Sequence, residues 1–287
     1  MFVSDNTLKS AKKYFYERLS TQFSSTELKN MWTQIICKRM EWNATEWMLQ
    51  QDARLSESDL LHVRSFVKKL IDQVPFQYLM GETSFYGLTI LCDKRALIPR
   101  PETEELVQWI IESSGQPTRI MDLCTGSGCI ALALKSNYSK ADVYALDVSS
   151  EALSLCQENA DALKLTITTI QDDLLQPSDS IGEGQFDVIA SNPPYIPHKE
   201  KEVMSAHVLN HEPSLALFVD DADPIIFYKK IAQFAEKKLV DGGFLFFELH
   251  ESYSQEVCEM LNDFSFHEIE IRKDLQGKLR MLKAQKV

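Results

Sequence analysis

The sequence has no hydrophobic run that could span a membrane and no CxxC pair of cysteines. A membrane helix needs roughly 20 consecutive apolar residues, and no stretch of the 287 residues approaches that length. The N-terminal residues lack the apolar segment of a signal peptide. The six cysteines are scattered without a CxxC pair, which is typical of reduced thiols. We therefore expect a soluble, cytoplasmic protein.

The chain also lacks a basic tract. Its net charge is −12 at pH 7, whereas proteins that grip nucleic acid by its phosphates usually carry a basic face. The charge favours a protein or small-molecule substrate, and we expect no nucleic-acid or membrane partner.

His207 and His211 have the spacing of helical metal ligands, but Pro213 follows at once and no further ligand cluster is near. A loop or surface pair is the better interpretation, and we expect no metal.

The first part of the chain, residues 1–75, has the apolar spacing of helices. Apolar positions between Leu28 and Met40 fall on one helical face. Ser24 and Asn43 each precede a glutamate at the spacing of a capping box. A further helical stretch ends before Pro75. These features predict a small N-terminal helical bundle with its tryptophans packed in the core.

The rest of the chain has the pattern of an α/β domain. Residues 76–100 are predicted to link the bundle to it as a β-hairpin, because apolar positions alternate around Gly87. Pro101 suits the first turn of a helix and opens the domain, 101–287. Seven segments have strand character: 119–123, 142–147, 165–170, 186–191, 244–249, 266–271 and 280–285. Strands alternating with helices predict a parallel sheet covered on both faces.

A glycine-containing loop, residues 124–128, follows the first of these strands. Gly126 and Gly128 allow the backbone to approach a ligand closely and to turn into the next helix. The N-terminus of that helix favours a negative group, such as a phosphate or the carboxylate of an amino-acid cofactor. Because Gly126, Gly128 and Ala131 also fit a relaxed dinucleotide fingerprint, a nicotinamide or flavin enzyme is an alternative.

Acidic residues end the next two strands. Asp147, about 20 residues after the glycines, suits the two hydroxyls of a ribose, in adenosylmethionine and NAD equally. Asp172 and Asp173 follow the third strand, where a carboxylate can accept a hydrogen bond from an adenine amine. We interpret one of these two residues as part of a turn only.

The motif that decides the chemistry is Asn192-Pro193-Pro194-Tyr195, directly after the fourth strand. The two prolines fix the backbone and remove two N–H donors, so carbonyl groups stay free to accept. Asn192 adds a side-chain carbonyl, and Tyr195 supplies a flat aromatic face. The motif therefore predicts a site for a planar NH2 group, with two acceptors for its hydrogens.

With these motifs the chain resembles the class I S-adenosylmethionine-dependent methyltransferases, and within them the PrmC/HemK family. That family methylates the glutamine of the Gly-Gly-Gln motif in class I peptide-chain release factors. The likeness covers nearly the whole chain, and its most specific runs are LIPRPETEELV (97–107) and SNPPYI (191–196). It implies a Rossmann-like seven-stranded sheet, S-adenosyl-L-methionine as cofactor and a release factor as partner. We expect the enzyme to be a monomer.

The resemblance also implies roles for single residues. The cofactor would be bound by Cys124, Thr125, Gly126, Ser127, Gly128, Asp147, Asp173, Leu174 and Asn192. The substrate would be bound by Asn192, Pro193, Pro194, Tyr195, Arg100 and Glu102. Among these, Asn192, Pro193 and Tyr195 would be catalytic.

Three positions depart from the family pattern. Cys124 stands where the family usually has glycine, and Leu174 replaces a frequent aromatic residue. Residues 218–224, FVDDADP, replace a glycine-rich stretch. None of these changes removes a group that the chemistry requires.

The expected reaction depends on positioning. An amide nitrogen is a poor nucleophile, and hydrogen bonds to the Asn192 side-chain oxygen and the Pro193 carbonyl would raise its electron density and aim it at the methyl group.

The sequence leaves two other functions open. An adenine amino-methyltransferase of DNA or RNA would use the same site on a flipped base. A dinucleotide-dependent oxidoreductase fits the glycine loop but gives no account of Asn192 to Tyr195.

Overall fold

The computed structural model describes residues 3–178 and 185–287, and the chain divides into two compact units, Met1–Met80 and Gly81–Val287. Residues 76–100, which the sequence predicts as a separate linker, are divided between these units. Phe76–Met80 forms a helix of the first unit, and residues 81–100 belong to the second. Throughout the described ranges, every helix is too short or too polar to cross a membrane.

The first unit is helical, as the sequence predicts. Its helices are α1 (Leu8–Leu19), α2 (Ser25–Met40), α3 (Ala44–Leu49), α4 (Glu57–Ile71) and α5 (Phe76–Met80). The predicted capping boxes are present before α2, where Ser24 and Glu27 cap each other, and before α3, where Asn43 and Glu46 do so. Each box satisfies backbone N–H groups that a helix leaves unpaired at its start, which explains why these two starts could be read from the sequence.

The core of this unit is built on aromatic packing. Trp32 of α2 is buried and packs at 5.5 Å, ring centre to ring centre, against Phe15 of α1. The predicted core role is therefore confirmed for Trp32. Trp42 and Trp47 are half-buried and pack against the same core.

The second unit begins with the predicted hairpin, which is shorter than expected. Strands β1 (Glu82–Phe85) and β2 (Leu88–Leu91) pair antiparallel. Tyr86 and Gly87 between them both have positive φ angles, the backbone that a two-residue turn requires when its twist matches the strands. Residues 92–100 then run to the next helix without forming a strand.

Seven strands form the main sheet of the second unit. They are β3 (Arg119–Leu123), β4 (Asp142–Asp147), β5 (Thr168–Gln171), β6 (Phe186–Ser191), β9 (Leu239–Glu248), β10 (Phe266–Lys273) and β11 (Leu279–Lys286). Their order is β10-β11-β9-β6-β3-β4-β5. Two short strands outside this sheet, β7 (Ile196–Pro197) and β8 (Phe218–Val219), pair parallel with each other. The predicted seven-stranded α/β fold is confirmed.

Helices cover both faces of the sheet. The helices of this unit are α6 (Pro101–Ser113), α7 (Cys129–Asn137), α8 (Ser150–Leu163), α9 (Ala206–His211), α10 (Ser214–Leu217), α11 (Ile226–Lys238) and α12 (Ser254–Leu261). Helices α6, α7 and α8 pack in one hydrophobic cluster with Ile120 of β3, and α11 and α12 in another with Met121. Neighbouring residues of a strand point to opposite faces, so both faces of β3 are buried.

Two expectations need correction. The sheet is not wholly parallel, because β11 lies antiparallel between β9 and β10. The hairpin that joins β10 to β11 reverses the chain, and β11 rather than β10 takes the place beside β9. In addition, His207 and His211 belong to helix α9 rather than to a loop, although His207 is exposed, in agreement with the surface alternative. Across residues 3–178 and 185–287, no three His, Cys, Asp or Glu side chains form a group that could hold a metal ion.

Candidate active site

A cleft in the second unit opens where β3, β4 and β6 end. The chain runs from β3 to β4 and β5 on one side, and then returns to β6 on the other side of β3. This reversal leaves a crevice at the carboxyl ends of the strands, where open α/β sheets bind ligands. The cleft is lined by residues 95–100, 103, 124–127, 129–130, 146–149, 152, 172–175, 192, 194, 213, 215–216 and 227.

The glycine loop reaches this cleft because hydrogen bonds fold it toward β4. The Thr125 N–H donates to the Leu146 carbonyl (2.9 Å), and the Gly126 N–H donates to Asp147 Oδ2 (2.9 Å). Cys124 and Gly126 have φ angles of 59° and 56°, which turn the chain sharply at the end of β3. Residues 124–127 therefore line one wall of the cleft.

Gly128 has a packing role in addition to the cofactor role that the sequence predicts for it. It is the N-cap of α7, with φ of 82°, and it is not among the residues that line the cleft. A Cβ atom at this position would lie 2.5 Å from the Sγ of Cys156 in α8. Real Cβ atoms do not approach other atoms so closely, so a glycine here is required by the packing of α7 on α8.

Asp147 ends β4 at the cleft and holds the loop that follows β3. Its Oδ2 accepts the Gly126 N–H, and its Oδ1 accepts the Ser149 N–H (3.0 Å). Burial raises the pKa of this carboxyl, although the backbone N–H donors oppose the rise. Each carboxylate oxygen can accept more than one hydrogen bond, so Asp147 can hold the loop and accept from a diol as well.

Both aspartates after β5 accept hydrogen bonds from the turn that follows, and Asp172 accepts more of them. Its carboxylate accepts the Asp173 N–H (2.8 Å) and the Ser178 hydroxyl (2.8 Å). Asp173 accepts the Leu175 N–H at Oδ1 (2.9 Å), while its Oδ2 has no hydrogen-bond partner in the described part of the chain. Leu174 is buried beside it and contributes an apolar part of the cleft wall.

The motif after β6 is anchored at its first residue. The Ser191 hydroxyl donates to the Leu123 carbonyl (2.7 Å), which ties the end of β6 to the end of β3. Pro193 and Pro194 are buried, and Asn192 and Pro194 line the cleft. The Pro193 carbonyl accepts no hydrogen bond from residues 3–178 or 185–287. Pro193 and Tyr195 are not among the residues that line the cleft.

A buried chain of hydrogen bonds connects Asn192 to Tyr195. Asn192 Nδ2 donates to Thr103 Oγ1 (3.2 Å), and the Thr103 hydroxyl donates to Glu248 Oε2 (2.5 Å). The Tyr195 hydroxyl donates to Glu248 Oε1 (3.1 Å). Thr103 and Glu248 are 2% and 1% exposed. The sequence interpretation missed both residues, although an acid at the end of an apolar strand, FLFFE (244–248), could have indicated Glu248.

Comparisons with known proteins identify both units. Residues 13–81 match the family model described as the PrmC N-terminal domain, and residues 102–218 match the Methyltransferase small domain. The release factor glutamine methyltransferase of Flavobacterium psychrophilum is 38% identical over 281 residues, which cover 96% of this chain and 98% of that protein. The chain belongs to the release factor glutamine methyltransferase family. The Bacteroides thetaiotaomicron member is 35% identical over 271 residues, covering 94% of this chain and 97% of that protein.

Solved structures share the fold of this methyltransferase at low sequence identity. A methyltransferase from Pyrococcus furiosus has a TM-score of 0.55 at 17% identity and covers 76% of this chain and 98% of that one. The 16S rRNA N2 G1207 methyltransferase of Thermus thermophilus, in complex with AdoMet and guanosine, has a TM-score of 0.52 at 18% identity. The match covers 72% of this chain and 50% of that one. The predicted class I methyltransferase fold is confirmed, and the family disfavours the adenine methyltransferase and oxidoreductase alternatives.

The Arg100 to Glu104 run of the methyltransferase contributes to the site mainly through Thr103. Arg100 lines the cleft and forms an ion pair with the buried Glu212 (2.6 Å), whose other oxygen accepts the Ile98 N–H (3.1 Å). Glu102 is outside the cleft lining, and its Oε1 accepts a hydrogen bond from Gln276 (3.0 Å). Glu212 therefore joins residues 98–100 to the segment that follows α9, and no role was predicted for it.

The positions that depart from the family pattern keep the site intact. Cys124, with φ of 59°, adopts the left-handed backbone that a glycine adopts without strain. Leu174 keeps the cleft wall apolar. Phe218 and Val219, at the start of the altered loop, form β8 and pair with Ile196 and Pro197, directly after the motif of Asn192 to Tyr195. The altered loop thus starts from a strand that supports the motif.

Asp122 is fully buried under the glycine loop of the methyltransferase, which is unusual for an ionisable side chain. Its Oδ2 accepts the Thr125 hydroxyl (2.5 Å) and the Ala131 N–H (3.2 Å), while Oδ1 has no partner in the ranges that the structure describes. Burial raises the pKa of this carboxyl to about 7. The protonated form is therefore favoured in the folded protein well above the ordinary pKa of an aspartate.

This burial predicts a pH-dependent stability. Because the folded pKa lies above the unfolded value of 3.8, the contribution of Asp122 to stability is fully present below about pH 4 and is lost progressively as pH rises to about 7. Between pH 4 and pH 8, the wild type should lose up to about 4 kcal/mol of unfolding free energy relative to Asp122→Asn. Urea unfolding of both cofactor-free proteins at several pH values measures this difference.

The control for this prediction is Asp142→Asn, at the exposed start of β4. That variant should show the same dependence of unfolding free energy on pH as the wild type. Unfolding free energies of wild type and Asp122→Asn that run parallel across the pH range would contradict the prediction.

Proposed function

We propose that the chain methylates the side-chain amide nitrogen of the glutamine in the Gly-Gly-Gln motif of class I peptide-chain release factors, with S-adenosyl-L-methionine as cofactor. The relatives named release factor glutamine methyltransferase support this substrate. The observation that carries the proposal is the orientation of Asn192 at the cleft. Its Nδ2 is engaged by Thr103, and its Oδ1 has no hydrogen-bond partner among residues 3–178 and 185–287.

The residues of the cleft fit S-adenosylmethionine. The Gly126 backbone leaves a space that a Cβ atom would fill, 3.8 Å from the Ala96 side chain on the other wall. Asp147 offers carboxylate oxygens to a ribose diol, and Asp173 Oδ2 offers an acceptor to an adenine amine. Leu174 supplies an apolar surface for the base. When bound, S-adenosylmethionine supplies a methyl group on a sulfonium, which a nitrogen lone pair can displace.

The motif after β6 would bind the glutamine amide. Asn192 Oδ1 accepts one hydrogen of the NH2 group, and the Pro193 carbonyl accepts the other. Neither proline offers an N–H that could compete for these acceptors. Tyr195, whose hydroxyl is held by Glu248, supports the motif with its ring. These contacts fix the plane of the amide and therefore the direction in which the nitrogen lone pair can react.

The same acceptors would stabilise the transition state. Nitrogen gains positive charge as its bond to carbon forms, which makes its hydrogens stronger donors. Acceptors that are already in place stabilise this charge without reorganisation. The extra proton of the methylated amide can leave to water, because such a group is strongly acidic. Tyr195 is not suited to be a base, since burial and the nearby Glu248 raise the pKa of its hydroxyl.

One assay tests this function directly. The chain is incubated with a class I release factor and isotope-labelled S-adenosylmethionine, and the peptides are analysed by mass spectrometry. We expect one labelled methyl group on the glutamine of the Gly-Gly-Gln peptide, and none on a release factor with that glutamine replaced. Parallel reactions with duplex DNA and with RNA test the adenine alternative. Label on nucleic acid and none on release factor would overturn the proposal.

The proposal includes the cellular environment, the partners and the oligomeric state of the enzyme. No disulfide joins the cysteines of residues 3–178 and 185–287, which favours a reducing, cytoplasmic environment. The acidic net charge of −12 disfavours a nucleic-acid partner. That the enzyme acts as a monomer stays a prediction.

A further inference from the structure

The side-chain amide of Asn192 can be held in two orientations, and only one of them suits the substrate. Its oxygen and nitrogen have nearly the same shape, but the oxygen accepts and the nitrogen donates. A substrate NH2 group needs an acceptor. An Asn192 amide turned by 180° would present a second NH2 group to it and leave the substrate hydrogens without a partner. Some part of the structure must therefore select one orientation.

Glu248 makes this selection through Thr103. The Glu248 carboxylate can only accept, and it is approached by two hydroxyl groups, those of Thr103 and Tyr195. A threonine hydroxyl has one hydrogen, and in this arrangement that hydrogen is used toward Glu248. The lone pairs of the Thr103 oxygen remain, so the atom of Asn192 that faces Thr103 must be the donor, Nδ2. Asn192 Oδ1 is then the atom left for the substrate.

The surroundings keep this chain of hydrogen bonds intact. Thr103 and Glu248 are almost fully buried, so water does not compete for their bonds, and low polarity strengthens them. Burial raises the pKa of Glu248, but Thr103, Tyr195 and the positive charge of Arg280 all favour its ionised form. The two hydroxyl donors and Arg280 thus give Glu248 the partners that a buried carboxylate requires.

We propose that Thr103 and Glu248 are positioning residues for methyl transfer, which hold the Asn192 amide with its oxygen toward the substrate. The inference rests on the proposed function for its kinetic consequence. Thr103 and Glu248 touch neither the substrate amide nor the methyl group in this role; they act through Asn192. The role also explains why Thr103, in the first turn of α6, lies where the motif after β6 can reach it.

Three variants test the proposal by steady-state kinetics with release factor. Thr103→Val keeps the shape of the side chain but removes its hydroxyl, so the Asn192 amide is free to turn. We expect kcat to fall by about 10²-fold, the effect of a small misplacement of a reacting group, with a far smaller change in the dissociation constant for the cofactor. Thr103→Ser restores the hydroxyl and should recover most of kcat. Thr118→Val, which removes an exposed hydroxyl that donates to Asp187 (2.8 Å), is the matched control and should behave as wild type.

Glu248→Gln tests the direction of the hydrogen bonds. A glutamine amide can donate to Thr103, whose hydroxyl would then donate to Asn192 and favour the wrong orientation. We expect a large loss of kcat in this variant. The double variant with Thr103→Val should have a kcat only slightly below that of Thr103→Val alone. The hydrogen bonds that connect Glu248 to Asn192 run through the Thr103 hydroxyl, which is already absent in Thr103→Val. Additive losses in the double variant would overturn the proposal, as would a Thr103→Ser enzyme as impaired as Thr103→Val.

A spectroscopic measurement separates this inference from the proposed function. The side-chain NH2 signals of Asn192 can be assigned in a ¹⁵N spectrum by their absence from Asn192→Ala. In the wild type, bonding to Thr103 should slow their exchange with water, and Thr103→Val should accelerate it. Equal exchange in the two proteins would overturn the positioning role whatever the substrate is. A wild-type protein that shows the slow exchange but does not methylate release factor would overturn the proposed function alone.

Discussion

Asn192→Ala will lower kcat for methyl transfer by about 10²–10³-fold, which is the range measured when one preorganised hydrogen-bond partner of a transition state is removed. The variant loses the acceptor that fixes one hydrogen of the glutamine NH2 group, so the nitrogen is neither polarised nor aimed. The cofactor pocket is formed mainly by other residues, among them Asp147 and Leu174. We therefore expect the dissociation constant for S-adenosylmethionine to stay near that of the wild type. Single-turnover kinetics and calorimetric titration measure the two quantities.

A matched asparagine provides the control. Asn262 is exposed after α12, and its Nδ2 donates to the Cys258 carbonyl (3.2 Å), away from the cleft lining. Asn262→Ala should leave kcat unchanged. If Asn192→Ala turned over at a rate near that of Asn262→Ala, the assignment of Asn192 as the acceptor for the substrate amide would have to be abandoned.

Gly128→Ala will lower the free energy of unfolding by about 2–5 kcal/mol, through two effects that add. The left-handed backbone at φ of 82° costs an alanine about 1–2 kcal/mol. The new Cβ would also lie 2.5 Å from Cys156 Sγ, and such overpacking of a core costs about 1–3 kcal/mol. Chemical denaturation of the cofactor-free protein measures the loss.

Two further variants separate these effects. Gly115→Ala has a similar backbone, with φ of 61°, but its Cβ would meet no atom within 4 Å. It should therefore show the backbone cost alone. Adding Cys156→Ala to Gly128→Ala removes the sulfur atom and should recover part of the packing cost. Equal losses in Gly128→Ala and Gly115→Ala would show that the contact with Cys156 has no energetic effect.

The elements nearest the cleft could be predicted to the residue. Strands β3, β4 and β6 have the predicted bounds, because each is a short and nearly continuous apolar run. The predicted third strand, residues 165–170, is displaced to Thr168–Gln171. It lies at the edge of the sheet and is only partly buried, so its apolar pattern constrains its bounds less strongly.

The order of the last two strands and the packing role of Gly128 cannot be predicted from residues that are neighbours in the sequence. That β11 rather than β10 lies beside β9 is a choice between the two strands of the last hairpin, and it depends on contacts far apart in the sequence. The glycine motif predicts a ligand role for Gly128, and the same residue type also serves helix packing. Only the position of Cys156 in the folded chain shows the packing role.

The sequence by itself determined the order of helices and strands, the glycine loop, Asp147 and the motif of Asn192 to Tyr195, because each depends on residues that are close along the chain. The tertiary structure alone decided how Asn192 is oriented. Thr103 and Glu248 are 145 residues apart, and their hydrogen bond exists only because α6 packs beside the end of β9. A hydrogen bond requires its atoms within about 3 Å, and spacing along the chain carries no such information across that separation.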